Sequence, residues 1–286
     1  MEASNNELAH EEWHPGEPQL SIVVPAFNEA SRIVAAIDDI VANMPVSVGT
    51  AWELIVVDDG SQDRTAEVVR EISDKVPSLR LMQHAANQGK GAAVRTGVLA
   101  AKGRVVVFAD ADGATPFSEA GKLLQAVREG ADLAVGTRIS GSGVQRSLLR
   151  SVMSAVFRLS VRTLTSVRIR DTQCGFKMFH RQTARCLFQI SHETGYLFDV
   201  EILGLAHRLG LTICEVPVMW HEVAGSRVRL VQDSCNMLAG LFRVRQTLGA
   251  TACRLRNSES SGKVSTILRT QPTAANVPAA TLRSGA

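Results

Sequence analysis

Two aspartates separated by one alanine, Asp110 and Asp112, follow an apolar run in the segment VVVFADADGATP. In an extended chain, residues i and i+2 point to the same side, so we expect both carboxylates to face one point. Carboxylates held that close repel each other unless a cation lies beside them. Oxygen ligands favour Mg2+ or Mn2+, which keep water and phosphate oxygens among their ligands. Aspartate is also common in solvated turns, so the pair by itself is weak evidence for a metal site.

A second acidic pair, Asp58 and Asp59, closes the apolar run ELIVV and precedes a glycine. Gly60 permits a tight turn, and Ser61 or Asp63 suits the cap of a following helix. Capping explains those two residues but not two successive acids. We therefore expect an acid here to accept hydrogen bonds from a nucleobase N–H or a ribose hydroxyl.

The segment NQGKG, residues 87–91, opens a predicted helix. Its glycines let a ligand approach the backbone, and Lys90 adds a positive charge for phosphate. The segment lacks the G-x-x-x-x-G-K-[ST] spacing, and Val94 replaces the third glycine of G-x-G-x-x-G. From this segment alone, a phosphate-binding loop and a plain turn are about equally good interpretations.

Short apolar runs alternate with helical patterns around these motifs. The predicted strands are 20–25, 52–60, 79–84, 105–112, 131–138, 176–179 and 211–220, and the predicted helices are 30–44, 64–76, 90–102, 118–129, 146–166, 182–189, 199–208 and 228–248. Continuous apolar strands between helices predict an α/β fold with a mainly parallel central sheet flanked by helices. Such sheets bind ligands beyond the carboxyl ends of their strands, which is where the acidic pairs stand.

The composition limits the organisation and the partners. We expect a loose arm over 1–19, one domain over 20–256, with a flexible loop at 139–145, and a disordered tail over 257–286.

A net charge of +3 is too mild to indicate a nucleic-acid partner. Five cysteines without a C-x-x-C pair are typical of reduced intracellular thiols. No uncharged apolar run approaches the roughly 18 residues of a membrane span, so any membrane contact is expected to be peripheral.

The predicted helix 146–166 carries a basic stripe beside an apolar face. The stripe consists of Arg146, Arg150, Arg158 and Arg162, and the apolar face includes Leu149, Val152, Val156 and Leu159. This pattern is typical of a helix lying on an anionic membrane surface. The same pattern fits an ordinary surface helix packed on the core nearly as well, so both interpretations stay open.

Four motifs in this order, SIVVPAFNE, ELIVVDDGSQDRT, NQGKGAAVRTG and VVFADADGATP, resemble the family 2 inverting glycosyltransferases, which have the GT-A fold. The segments IRDTQCGFKMF, FDVEIL and VMWHEVAGSRV are similar to the dolichyl-phosphate β-glucosyltransferase subgroup, as is DADGAT. The resemblance covers roughly 20–245. It implies a Rossmann-like nucleotide-sugar-binding half, 20–138, and an acceptor and membrane-facing half, 139–256.

The resemblance also implies a site. Asp112 would hold Mg2+ or Mn2+, with Asp110 at the metal or at the donor ribose. The matching nucleoside-binding edge comprises Pro25, Asn28, Glu29, Asp58 and Asp59, while Lys90 and Arg138 would lie near the donor phosphates. Asp171 matches a position proposed to face the acceptor. Asp199 and Glu201 are alternatives for which an orienting structural role is equally open, and Arg146 and Arg150 are candidates to hold an acceptor phosphate.

The activity expected from the resemblance is transfer of glucose from UDP-glucose to a polyprenyl phosphate, with inversion, at the cytoplasmic face of a membrane. GDP-mannose as donor stays open within this class, and a GT-A-like protein that binds nucleotide-sugar without turnover stays open outside it. An NAD-dependent oxidoreductase is disfavoured because the glycine fingerprint fails and acids occupy the first two strand ends.

Overall fold

The computed structural model of the chain describes residues 17–140, 148–165, 167–221 and 240–251. Its strands are β1 (Leu20–Ala26), β2 (Trp52–Asp58), β3 (Leu79–Gln83), β4 (Val105–Ala109), β5 (Leu133–Ser140), β6 (Phe176–His180) and β7 (Ile213–Trp220). Its helices are α1 (Ile33–Ala42), α2 (Thr65–Ser73), α3 (Lys90–Ala100), α4 (Ala120–Arg128), α5 (Leu148–Thr165), α6 (Arg181–Ile190) and α7 (Phe198–Arg208). Residues 240–251 are also helical.

The seven strands form one sheet in the order β3-β2-β1-β4-β6-β5-β7. β6 pairs antiparallel with β4 and β5, while the other neighbouring strands pair parallel. The predicted mainly parallel sheet is confirmed, and the reversal at β6 is an addition to it. Because β4 and β6 run in opposite directions, the segment that enters β6 lies at the edge where β4 ends.

Both faces of the sheet are covered, which is why its strands are almost continuously apolar. Successive side chains of β1 point to opposite faces of the sheet. Ile22 and Val24 belong to one buried cluster, and Val23 belongs to the other. The first cluster includes residues from α1, α2 and α4, and the second includes residues from α3, α6, α7 and 240–251. Gly97 lets α3 approach closely, because a Cβ there would lie 2.4 Å from a Val23 methyl carbon.

Several boundaries differ from the predicted ones. β4 ends at Ala109, so Asp110 and Asp112 follow the strand instead of lying within it. Residues 17–19, assigned to the loose arm, are bonded to the sheet: Gln19 N donates to Ala51 O, and Arg104 N donates to Pro18 O. Residues 1–16, 141–147, 166, 222–239 and 252–286 lie outside the described residues. They include most of the predicted arm, most of the loop at 139–145 with Arg146, the first part of the predicted helix 228–248 and all of the predicted tail.

Candidate active site

The turn after β4 holds the two aspartates of the opening motif. Asp110 N donates to Gly175 O at 3.2 Å, and Asp112 Oδ1 accepts from Ala114 N at 3.0 Å. A turn, and not the i, i+2 geometry of an extended strand, therefore sets their relation. The two carboxylates are still neighbours: burial, and then repulsion from Asp110, raises the pKa of Asp112 above its ordinary value.

Gly175, directly before β6, makes room for the Asp110 carboxylate. A Cβ at position 175 would lie 2.0 Å from Asp110 Oδ2 and 2.5 Å from Oδ1. The antiparallel register that pairs Ala109 with Phe176 brings this glycine under the aspartate. The sequence analysis missed Gly175; its only signal was a glycine immediately before an apolar strand.

Lys90, the first residue of α3, lies against Asp110. Its Nζ is 2.6 Å from Asp110 Oδ1, and the two form an ion pair. Within the described residues this buried oxygen has no polar partner besides Lys90. Burial favours the neutral amine, but the charges of Asp110 and Asp199 outweigh that effect and raise the pKa of Lys90. The lysine expected near phosphate is therefore a charged counter-ion of Asp110.

Asp59 fixes the loop that carries Lys90. It is 2% exposed, and it accepts hydrogen bonds from Gln88 N at 2.9 Å and Gly89 N at 2.8 Å. His84 Nδ1 lies 2.7 Å from the same carboxylate. Gly89 has φ +104°, and a Cβ there would lie 2.5 Å from Thr194 O. Asp59 on one side and the backbone at Thr194 on the other thus hold the start of α3.

Asp58 fixes the neighbouring turn. It is 1% exposed, with Oδ1 accepting from Ser61 N at 3.2 Å and Oδ2 accepting from Gln83 Nε2 at 3.0 Å. The two successive acids therefore serve two different segments of the protein. Each side chain already has internal donors, so the structure gives both a supporting role that the sequence analysis did not anticipate.

The end of β1 meets this turn. Asn28, with φ +54°, donates its N–H to Ser61 Oγ at 2.8 Å, and its Oδ1 accepts from Gln62 N at 2.7 Å. Glu29 is paired with Arg32, whose Nε lies 2.7 Å from Oε2. Pro25 is buried within β1 and pairs with Val57 of β2. The structure thus brings the predicted residues of β1 and β2 to one edge.

Arg138 and Asp171 face each other in a bidentate pair. Arg138 Nε donates to Oδ2 at 2.6 Å, and Nη2 donates to Oδ1 at 2.8 Å. The Arg138 guanidinium also lies 5.6 Å from the centre of the Trp220 ring, a residue the sequence analysis missed. Burial opposes the charged form of Asp171, but Arg138 outweighs it and holds the pKa of Asp171 below its usual range. Asp171 is therefore a poor proton acceptor at neutral pH.

The two alternative acids of α7 have structural partners. Asp199 is buried and accepts a hydrogen bond from Lys177, a fully buried lysine whose Nζ also donates to Cys174 O at 2.6 Å. Glu201 Oε2 accepts from His192 N at 2.9 Å and Glu193 N at 2.8 Å. These contacts support the orienting role that the sequence analysis left open for both acids.

The donor set around Asp110 suits a divalent cation that brings further ligands with it. Within the described residues, no group of three or more His, Cys, Asp and Glu side chains could hold a metal ion. Asp110 and Asp112 still supply oxygen ligands, and the buried Oδ1 of Asp110 has only the Lys90 ammonium as a partner in the described residues. A Mg2+ site usually needs only one or two carboxylates because water and substrate phosphates complete the shell. The residues fit such an ion.

The comparison with known proteins decides the family. Residues 21–188 match glycosyl transferase family 2, which is more than half of the chain. The chain belongs to this family. The dolichyl-phosphate β-glucosyltransferase of Drosophila melanogaster is 40% identical to this glycosyltransferase over 249 residues, covering 81% of this chain and 76% of the relative. The Saccharomyces cerevisiae protein of the same name is 37% identical over 246 residues, covering 79% and 74%.

Solved structures confirm the GT-A type of α/β fold. The glucosyl-3-phosphoglycerate synthase from Mycobacterium tuberculosis, in complex with UDP, superposes with a TM-score of 0.60 at 22% identity, covering 81% of this glycosyltransferase and 80% of that chain. A complex of the same synthase with Mn2+, UDP-glucose and phosphoglyceric acid also has a TM-score of 0.60, at 21% identity. At these identities the likeness establishes the fold and no more.

Proposed function

We propose that this glycosyltransferase transfers glucose from UDP-glucose to a polyprenyl phosphate with inversion at the anomeric carbon. The observation that carries the proposal is 34–40% identity to curated dolichyl-phosphate β-glucosyltransferases over at least 76% of the chain. The synthase with the same fold binds UDP-glucose together with Mn2+, which supports the donor and the metal.

Asp110 and Asp112 are the proposed ligands of Mg2+ or Mn2+. When bound, the ion stabilises the negative charge that develops on the leaving diphosphate. Gly175 leaves the space that the Asp110 carboxylate occupies, and the turn hydrogen bond from Ala114 N orients the carboxylate of Asp112. Lys90, beside Asp110, supplies a further positive charge at the same edge of the sheet.

The proposed nucleoside site is the edge formed by Pro25, Asn28, Glu29, Asp58 and Asp59. Asp58 and Asp59 are buried and bonded to the turns at 61 and 88–89, so they act by fixing the walls of this edge. A rigid edge places the sugar before the acceptor arrives, and such positioning contributes to the rate without any new contact.

The acceptor chemistry needs little proton transfer. A phosphate oxygen is already anionic near neutral pH, so it attacks the anomeric carbon directly, from the face opposite the departing UDP. This agrees with an Asp171 that is held ionised by Arg138 and is therefore unsuited to be a base. We assign Asp171 the task of orienting Arg138 toward phosphate. Arg146 and Arg150, whose side chains lie outside the described part, remain the proposed ligands of the acceptor phosphate.

Peripheral binding at the cytoplasmic face of a membrane is the proposed location of the reaction. In the described part of the chain, no helix is long and apolar enough to cross a bilayer. On α5, Val161 is buried, whereas Val156 is 50% and Leu159 63% exposed, and Arg158 and Arg162 are exposed beside them. Part of the apolar surface of this helix is thus left out of the core and stands next to basic residues.

Liposome flotation tests this location. The wild type is expected to float with anionic vesicles at low salt, because each basic residue near such a surface contributes about 1 kcal/mol. A variant with Arg146, Arg150, Arg158 and Arg162 changed to Gln should stay in the dense fraction. Equal flotation of both proteins would remove α5 as the membrane contact.

A donor panel tests the activity itself. Radiolabelled UDP-glucose, UDP-GlcNAc and GDP-mannose are each incubated with a short polyprenyl phosphate and Mg2+, and label in the lipid fraction is counted. We expect transfer from UDP-glucose alone, abolished by EDTA and restored by Mg2+ or Mn2+. Preference for GDP-mannose would overturn the donor, and UDP binding without any transfer would indicate a non-catalytic binding protein.

A further inference from the structure

The charged residues around Asp110 are unequally paired. The carboxylates are Asp110, Asp112, Asp171 and Asp199, and the cations are Lys90, Arg138 and Lys177. Asp171 accepts three hydrogen bonds from Arg138, two from the guanidinium and one from the backbone N–H, and Asp199 is bonded to Lys177. Lys90 is left to face both carboxylates of the turn after β4, and Arg32, which is itself paired with Glu29, adds a smaller positive influence on Asp112. With all groups ionised, this set carries one net negative charge.

The Lys90–Asp110 pair differs from Lys177–Asp199 in exposure and from Arg138–Asp171 in the number of its hydrogen bonds. The side chains of Lys90 and Asp110 are 22% and 31% exposed, whereas those of Lys177 and Asp199 are 0% and 4% exposed. The Arg138–Asp171 pair is similarly exposed, at 33% and 16%, but Arg138 holds Asp171 through three hydrogen bonds, whereas Lys90 reaches Asp110 through one contact of 2.6 Å to Oδ1. It is therefore the pair in this described cluster that can open at the least cost.

A divalent ion and the Lys90 ammonium would compete for the Asp110 carboxylate. A cation held by Asp110 and Asp112 would need the carboxylate that Lys90 Nζ now faces, and its two charges would turn the net charge of the set from −1 to +1. Lys90 is then repelled by the ion and has lost its counter-ion. A diphosphate, which carries the opposite charge, is the group that would stabilise the displaced ammonium.

We propose that Lys90 is an exchangeable counter-ion: it occupies Asp110 in the metal-free enzyme and moves to the donor diphosphate when the divalent ion binds. This inference rests on the proposed function, because it needs the metal at Asp110 and Asp112 and a nucleoside diphosphate donor. Metal alone must displace Lys90 without compensation, so it binds weakly. Metal with diphosphate binds tightly, because the diphosphate receives Lys90.

Two binding constants test the exchange on the purified full chain. Mn2+ binding without nucleotide is measured from the electron paramagnetic resonance signal of free Mn2+, and UDP binding at saturating Mn2+ is measured by calorimetry. Lys90→Met removes the charge and keeps much of the stem. We expect Mn2+ alone to bind about ten-fold tighter to this variant and UDP about ten-fold more weakly, each about 1.4 kcal/mol. A merely structural loss would weaken both.

Lys122→Met is the matched control. Lys122 Nζ lies 2.6 Å from Glu119 Oε2, the same distance as in the Lys90 pair, but it has no part in the cluster around Asp110. Both constants should be unchanged in this control. Lys90→Gln provides a second variant, judged by the same two constants, should Lys90→Met unfold in a thermal scan.

The outcomes separate the inference from the proposed function. Mn2+ binding that is unchanged or weaker in folded Lys90 variants overturns the exchange while leaving the proposed function standing. Tighter Mn2+ binding with unchanged UDP affinity overturns it too, because Lys90 then has no diphosphate partner. Failure of the wild type to bind Mn2+ even with UDP removes the metal site, and the exchange with it.

Discussion

Replacing Gly175 with alanine tests whether Asp110 is a functional residue held in place by packing. The added methyl carbon would lie 2.0 Å from Oδ2, 2.2 Å from Cγ and 2.5 Å from Oδ1 of Asp110. Contacts below 3.0 Å are essentially never seen for a Cβ, so the carboxylate must move by about 1 Å or more. The backbone cannot yield easily, because Asp110 N donates to Gly175 O between paired strands.

The expected loss follows from that displacement. A misplacement of about 1 Å at a reacting or ligating group costs on the order of 100-fold in rate, so glucosyl transfer by Gly175→Ala should fall by about that factor. Mn2+ binding in the presence of UDP should weaken as well, because Asp110 no longer meets Asp112 in the same geometry. The fold itself should survive, since the clash involves one partly exposed side chain.

Gly121→Ala is the control for this experiment. Gly121 lies in α4, is exposed, and has an ordinary helical φ, and a methyl group added there would have no heavy atom within 4 Å. Alanine there should leave transfer unchanged and stabilise the protein by up to about 1 kcal/mol. Transfer and Mn2+ affinity at wild-type level in Gly175→Ala would refute the placement of Asp110 in the site.

Three further predictions concern the other acids. Asp112→Asn keeps the shape of the side chain but removes a ligand charge, so it should lose most transfer at unchanged thermal stability; undiminished turnover would contradict the metal site. Asp59→Ala leaves Gln88 N and Gly89 N without their acceptor. Calorimetry should show UDP affinity falling about ten-fold, and the free energy of unfolding should fall by roughly 1.5–3 kcal/mol. An unchanged free energy of unfolding would contradict the supporting role of Asp59. Asp171→Asn should have a lower free energy of unfolding than the wild type, by a constant amount at pH 5–8. This difference should shrink only below about pH 4, because the pKa of Asp171 is lowered in the folded state. A difference that already shrinks near pH 6 in denaturant titrations would contradict that shift.

Apolar runs and strand-end acids were enough to predict the sheet and the edge that carries the site. Asp58, Asp110 and Arg138 are placed there by strands whose pattern is unambiguous, and Lys90 by the glycines that open α3. The direction of β6 was not predictable, because a short, almost fully buried strand such as FKMFH has a residue pattern that suits either direction. Gly175 lies at the site only because that strand is reversed.

The internal partners of the acids could not be predicted for a related reason. Asp59 accepts from backbone N–H groups 29 and 30 residues away, and Asp58 accepts from a side chain 25 residues away. Nothing local marks such donors. Ionised carboxylates are seldom fully buried unless they are hydrogen-bonded, so a sequence alone favours a ligand role for an acid at a strand end. The structure satisfies both acids from within.

The buried charges of this glycosyltransferase divide into fixed and exchangeable pairs. Burying an ion pair stabilises a protein little, because desolvation offsets the attraction, so such pairs are better explained by the geometry they impose. Lys177 with Asp199 joins β6 to α7 beneath the site, and Asp171 with Trp220 immobilises Arg138 beside it. Against this frame, Lys90 and Asp110 are joined by a single, partly exposed ion pair, which is the pair proposed to open. Under the proposed exchange, such a site would bind its cation and its anionic donor together, because the same movement of one lysine would vacate the metal ligand and neutralise the diphosphate.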